Sequence, residues 1–215
     1  MHPIVLAVTG ASGAIYTRRL LQCLMFADVA VHLTISESAR LVFEQELGAK
    51  FDLRRFNWAD FLSGAAQDQW FDSGLPLLTP AALDKRVRYH HEVDFMSPIA
   101  SGSFLTSAMV ICPCSGSTLG QIVHSSGNSL ISRAADVHLK ERRKLILVPR
   151  ETPVSAIQLA NMTRAAELGA VVLPAAPGFY HGVSKIGDLV DFVVARILDQ
   201  LAISHQLMKR WGVEG

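Results

Sequence analysis

The sequence predicts an α/β fold, a doubly wound parallel sheet with helices on both faces, and three observations point there. Ile4–Val8 is an uncharged apolar run of strand length, Thr9–Gly13 is a turn of small residues, and an apolar helix pattern (Ile15, Leu20, Leu21, Leu24) follows. Strand, glycine turn and helix in that order open such sheets. Further candidate strands, at Val29–Ile35, Ala108–Cys112, Leu145–Val148 and Val171–Leu173, alternate with helical stretches. Half of the 215 residues are hydrophobic and 18% are charged, which suits a sheet covered on both faces or a protomer that buries surface in an oligomer. The length fits one domain, residues 1–215, with a large core.

Composition also excludes function classes. The formal net charge is +1, so nothing marks a nucleic-acid binder. The start, Met-His-Pro-Ile-Val, has no basic region before its apolar run and reads as a strand, not a signal peptide. No uncharged apolar run approaches membrane-spanning length. The three cysteines, Cys23, Cys112 and Cys114, are an odd set that argues against a disulfide framework and for a reducing cytoplasm. Cys112-Pro-Cys114 lacks the two-residue spacer of a redox pair; Cys112 reads as a buried strand end and Cys114 as a turn residue. No histidine cluster completes a zinc site, so no metal is expected.

Taken in order, the first helix runs on to Ala27. Ser36 stands where an N-cap belongs, before a second helix from about Glu37 to Leu47 that Gly48 ends. Residues 50–93 are the least regular part, with Gly and Pro at 64, 74, 76 and 80, and read as an excursion with short helices and a weak strand; His90 and His91 read as solvent-facing. Ser101-Gly102-Ser103 is another small polar turn. Pro113 ends the strand at Cys112, and Ser115-Gly116-Ser117-Thr118 opens a helix. Leu130–Arg143 is helical and basic at its end, with Arg133 and Lys140 two turns apart on one face and Arg142 and Arg143 read as a solvated basic face. Val154–Leu168 is a helix ended by Gly169, Pro174–His181 is a stiff loop, and Ile186–Ser204 is the closing helix, with Arg196 inside it.

Chemistry concentrates at the expected C-terminal edge of the sheet. Gly10 and Gly13 remove Cβ atoms that would hold an anion off the backbone, and the following helix start favours negative charge. The same Gly-x-x-Gly also serves plain turn geometry. A dinucleotide dehydrogenase fits poorly: Tyr16 stands where a third glycine would fall, and the second strand ends at Ser36 instead of an acid for a ribose diol, with Glu37 one residue late. After Tyr180 the next lysine is Lys185, so no Tyr-x-x-x-Lys pair exists. The Ser115 turn offers a second anion site at the same edge. Arg150 and Glu151 follow an apolar strand, as a phosphate clamp with a proton carrier or as a plain ion pair.

The ordered set Thr9-Gly-Ala-Ser-Gly-Ala14, Ala100-Ser-Gly-Ser103, Cys112-Pro-Cys-Ser115 with Thr118-Leu119, Arg133-Ala-Ala-Asp136 with Leu139-Lys-Glu-Arg-Arg143, Val148-Pro-Arg-Glu-Thr152, Pro174–His181 and Asp188-Leu-Val-Asp191 resembles the UbiX-type flavin prenyltransferases. The likeness covers nearly the whole chain outside about 50–93. It implies a Rossmann-like, homo-oligomeric enzyme, typically a dodecamer, with sites between subunits. Members join a dimethylallyl group from dimethylallyl phosphate to N5 and C6 of reduced FMN, without metal, and a UbiD-type decarboxylase receives the prenylated flavin.

By position, the resemblance implies FMN contacts from Gly10, Ala11, Ser12, Ser36, Ser115, Gly116, Ser117, Thr118 and Arg150. It gathers Arg133, Lys140, Arg150, Tyr180 and Arg196 round the prenyl phosphate, with Arg133 and Arg196 reaching a neighbouring subunit's site. Phe95, Ser101, Gly102 and Trp211 join the substrate site, and Ser12, Glu46, Glu151 and Lys140 carry the chemistry, Ser12 and Glu151 by handling protons. Phe95 stands where the family often has Trp, which keeps a π face without the N–H, and 50–93 looks longer than usual. The FMN-dependent peptidyl- or pantothenoyl-cysteine decarboxylases share the glycine turn but carry an Asn in a Pro-Ala-Ser-Ala-Asn-type loop and a catalytic histidine near the second strand; here the loop is Pro113-Cys-Ser-Gly-Ser117, and His32 lies within its strand. A non-catalytic flavin carrier would need no Lys140, Arg150, Glu151 and Tyr180 set.

Overall fold

The structure, a computed structural model, describes residues 2–64, 71 and 74–208; Trp211 lies outside them. Six strands form one all-parallel sheet: β1 (Ile4–Val8), β2 (Val31–Ile35), β3 (Val87–His91), β4 (Ala108–Cys114), β5 (Lys144–Pro149) and β6 (Val171–Val172). Their order is β3-β2-β1-β4-β5-β6, so the winding reverses between β1 and β4. Ligands of such sheets bind beyond the carboxyl ends at that reversal, where adjacent loops diverge.

The helices are α1 (Ala14–Phe26), α2 (Glu37–Leu47), α3 (Trp58–Phe61), α4 (Pro80–Arg86), α5 (Gly116–Val123), α6 (Leu130–Lys140), α7 (Ala156–Glu167) and α8 (Ile186–Gln200). Period-two alternation splits β1 between two cores. Ile4, Leu6 and Val8 join the core that holds the buried faces of α1, α2 and α8, while Val5 and Ala7 join the core of α5 and α6. Each buried aliphatic side chain contributes about 1.5–3 kcal/mol. The α1–α8 contact also carries a buried ion pair: Arg19 Nε donates to Asp191 Oδ1 at 2.6 Å, with the Phe71 ring 4.1 Å from the guanidinium.

Several boundaries differ from the sequence reading. The supposed excursion at about 50–93 contains β3, an edge strand whose Val87 and Tyr89 pack on the α1/α2 core. It also contains an aromatic cluster: Phe51, Phe56, Trp58 and Phe61 pack on one another, and Phe56 stacks on Tyr89 at 4.0 Å. Strand β4 continues through Pro113, so Cys114 is a fully buried strand residue, not a turn residue. Helix α6 stops at Lys140 because Arg142 adopts a left-handed φ of 55°. Arg143 is no solvated cation: its guanidinium donates to the carbonyls of Phe104 (2.7 Å) and Gly102 (2.5 Å).

Candidate active site at the sheet reversal

The ends of β1 and β4 are tied to each other. Thr9 Oγ1 donates to the Pro113 carbonyl at 3.0 Å and accepts the Ser115 N–H at 2.8 Å. Ser115 caps α5, its Oγ accepting from Thr118 N at 3.2 Å and donating to Thr118 Oγ1 at 3.0 Å. Ser36 caps α2 through Ala39 N at 3.1 Å, and its hydroxyl lies 3.0 Å from that of Ser38. The glycine turn runs against this hydroxyl pair: a Cβ on Gly10 would fall 2.5 Å from Ser38 Oγ. Three loops thus present small residues, hydroxyls and backbone N–H groups at one mouth.

The start of α1 is not an open anion seat. Glu46, from the last turn of α2, accepts Gly13 N at 3.0 and 2.9 Å and Ala14 N at 2.8 Å. The carboxylate supplies the partner that a helix N-terminus lacks and complements its dipole. Gly13 itself has φ 121°, a conformation that favours glycine, and the Tyr16 ring closes over it; a Cβ there would lie 2.7 Å from Tyr16 Cδ2. Burial is the main cause that pushes the Tyr16 phenol up, with Cys112 and Glu46 adding and Arg150 opposing, so Tyr16 is a neutral hydroxyl at this mouth.

Arg150 and Glu151 have separate partners. Half-buried Arg150 reaches from the end of β5 to the Ser12 carbonyl, with Nε 3.2 Å away. Glu151 accepts from Gln158 Nε2 of α7 at 3.2 Å. The structure therefore brings together Ser12, Glu46, Arg150 and Tyr16, and leaves Glu151 on the rim beside Gln158.

A second group of predicted residues lies along α6. Arg133 Nε donates to the Ala100 carbonyl at 3.0 Å and its Nη1 approaches Asp136 at 3.4 Å. Lys140 lies 3.9 Å from Glu141, whose carboxylate covers Gly102 so closely that a Cβ there would fall 2.3 Å from Oε1. With Arg143 on the Gly102 and Phe104 carbonyls, residues at and just beyond α6 hold the Ser101-Gly102-Ser103 turn. Phe95 is half exposed and Tyr180 is exposed, its ring edge-on to Phe192 at 5.7 Å. Arg196 pairs with Asp199 at 2.9 Å. It sits in the last turns of α8, where the Gln200 carbonyl accepts from Lys144 at the start of β5. Within one chain, Arg196 is therefore at the opposite end of β5 from Arg150.

Three residues around the site went unread in the sequence. Ser38 stands two positions after the N-cap serine, Tyr16 was read only as a missing glycine, and Gln158 is signalled by the Ser155-x-x-Gln158 capping pattern. His90 also differs from its reading: it is half-buried, and its Nε2 lies 2.8 Å from His32 Nδ1 with the ring planes 4° apart. Burial is the first cause that lowers both imidazoles, His32 to about 4; His90 and Arg88 lower His32 further, while Asp94 raises His90. Among the described residues, no group of three or more His, Cys, Asp or Glu side chains is placed to hold a metal ion, and no helix is long and apolar enough to cross a membrane.

Fold and site define an α/β protein with a mouth of small residues, hydroxyls and backbone N–H groups where its parallel sheet reverses. Comparison with known proteins narrows this. The Flavoprotein family matches residues 1–198. A protein named flavin prenyltransferase UbiX from Pseudomonas aeruginosa is 48% identical over 212 residues, covering 97% of this chain and 93% of its own. The structure of AnUbiX (PadA1) in complex with FMN and dimethylallyl pyrophosphate superposes with a TM-score of 0.79 at 34% identity, covering 100% of this chain and 99% of that one. A dodecameric FMN-dependent UbiX-like decarboxylase from Escherichia coli O157:H7 gives 0.79 at 34%, covering 98% and 100%. The chain belongs to the Flavoprotein family and, within it, to the UbiX-type flavin prenyltransferases.

Proposed function

We propose that this chain joins a dimethylallyl group from dimethylallyl phosphate to N5 and C6 of reduced FMN, releasing inorganic phosphate. The observation that carries the reading is the reach of Arg150 from the end of β5 to the Ser12 carbonyl, which puts a fixed cation beside the glycine turn at the sheet reversal. A side chain at Gly10 would collide with Ser38, so glycine there keeps the turn packed against the Ser36 and Ser38 hydroxyls, which leaves backbone N–H groups and hydroxyls for a flavin phosphate and ring edge. Gly10, Ala11, Ser12, Ser36 and Ser115 to Thr118 would hold the flavin. Arg150 and Lys140 would stabilise charge growing on the leaving phosphate oxygens. Ser12 and Glu151 are the proton carriers, and Glu46 holds the glycine turn in register beside them.

Arg196 lies too far along α8 to serve the site of its own chain, so in this reading it serves a neighbour's, together with Arg133. The protein is then a homo-oligomer, a dodecamer by analogy with its relative. Helix α7 fits an assembled surface: Ala165 is its only buried residue, while Ile157 and Leu159 are 74% and 55% exposed. The product serves a UbiD-type decarboxylase, and three free cysteines suit a cytoplasmic enzyme.

The test is phosphate release under anaerobic conditions. Reduced FMN, dimethylallyl phosphate and the protein together should liberate inorganic phosphate stoichiometrically with flavin, and omission of FMN should stop it. Carbon dioxide release from a pantothenoyl or peptidyl cysteine, with no phosphate release from the prenyl donor, would replace this reading by the cysteine-decarboxylase one.

A further inference from the structure

We infer that Gln158 is the positioning residue of Glu151, holding its carboxylate by a donor that the start of α7 orients. The inference rests on Glu151 being a proton carrier, as proposed above. From Glu151 to Ala160 every residue is exposed except Gln158. Its side chain is fixed at both ends of its amide. The Oε1 atom accepts Ser155 N at 2.9 Å, while Ser155 Oγ accepts Gln158 N at 3.2 Å, so the two residues close a capping box. With the oxygen committed to Ser155, the orientation of the amide is set, and one of its two N–H donors faces Glu151 Oε2, 3.2 Å from Nε2. The amide also fills the space over Gly116 at the start of α5, where a Cβ would fall 2.7 Å from Nε2. One side chain thus caps α7, covers the predicted flavin helix and addresses the rim carboxylate.

The consequence is chemical as well as geometric. A donor to a carboxylate favours its charged form, and a second carboxylate in the same place disfavours it. Gln158→Glu separates these roles from folding. Glutamate is the other standard closing residue of a capping box, so the cap on Ser155 survives and the negative charge suits the helix start. Only the donor facing Glu151 is replaced, by a charged oxygen. Gln158→Met removes the donor without adding charge and serves as the second variant.

The experiment is the pH dependence of single-turnover flavin prenylation for wild type, Gln158→Glu, Gln158→Met and Glu151→Gln, with flavin affinity measured on each. The limb of the wild-type profile that Glu151→Gln abolishes should move upward by about one pH unit in Gln158→Glu and by a smaller amount in Gln158→Met. FMN affinity should stay within about threefold in Gln158→Met, which adds no charge over Gly116, a change that corresponds to less than one tenfold step in binding. An unshifted limb in Gln158→Glu, with Glu151→Gln strongly impaired, overturns the positioning role alone. Wild-type turnover by Glu151→Gln overturns the proton-carrier reading on which it rests.

Discussion

Glu46 gives the sharpest quantitative test of how the glycine turn is built. Its carboxylate takes the N–H of Gly13, the N-cap of α1, and of Ala14, its first residue, at 2.8–3.0 Å. Glu46→Ala leaves both without a protein partner. Hydrogen bonds to charged groups are worth about 1.5–3 kcal/mol each, but water reaches a part-buried helix end, and lost caps cost about 0.5–2 kcal/mol. The expected loss is about 2 kcal/mol. Glu46→Gln keeps one acceptor oxygen. Because Oε2 contacts both amides (2.9 and 2.8 Å), that oxygen keeps one bond to each; the second contact to Gly13 N, from Oε1 at 3.0 Å, is lost with the charge–dipole part, which is about 0.3–1 kcal/mol. Urea unfolding at fixed protein concentration reads the difference: with a slope of about 2 kcal/mol/M, Glu46→Ala should lower the midpoint by about 1 M and Glu46→Gln by less than half of that. Added inorganic phosphate should stabilise the alanine variant more than wild type, because the vacated helix end accepts an anion. An alanine variant as stable as wild type, or a glutamine variant as damaged as alanine, would refute the view that this carboxylate seats the turn.

Other outcomes follow from the same geometry. Glu151→Gln should slow prenylation roughly 100-fold or more with FMN still bound, whereas Arg150→Ala should weaken retention of flavin and prenyl donor, read by single-turnover spectra and titration. The paired imidazoles make stability pH-dependent. Both are lowered in the folded state, so unfolding takes up protons. Their contribution is complete above the ordinary histidine value near 6.5 and is lost as pH falls toward about 4, the His32 value. Denaturation series at pH 7, 5.5 and 4.5 should show this decline, and His90→Phe should flatten it. Binding should favour FMN over NAD, since Ser36 follows β2 where a ribose-binding acid would stand and Tyr16 covers Gly13; tight NAD binding with no FMN binding would contradict the site reading.

The sheet was legible because five of its six strands are short, mostly apolar stretches bounded by turn signals, with only His32 and Thr34 interrupting β2. Strand β3 was not, because an edge strand buries one face: Val87 and Tyr89 alternate with Arg88 and His90, and the surrounding glycines and prolines mask the short pattern. The glycine turn, Ser36, Ser115 and Arg150 were legible because turn and cap chemistry is local. What occupies the start of α1 was not, since Glu46 arrives from 32 and 33 positions away and only tertiary packing makes it the cap. Arg143 was misread for the same reason: nothing in a basic helix end says that it will grip carbonyls 39 and 41 positions earlier. Gln158 was readable in principle from Ser155-x-x-Gln158, but its second role depends on the strand end beside it.

The central claim is that this chain builds a prenylated flavin, and the mass of the flavin tests it most directly. After anaerobic incubation of the protein with reduced FMN and dimethylallyl phosphate, the flavin extracted without air should be heavier than reduced FMN by one isoprene unit, and Arg150→Ala should yield far less of it. Flavin recovered at the mass of FMN alone, from wild-type protein that binds both reactants, would contradict the account.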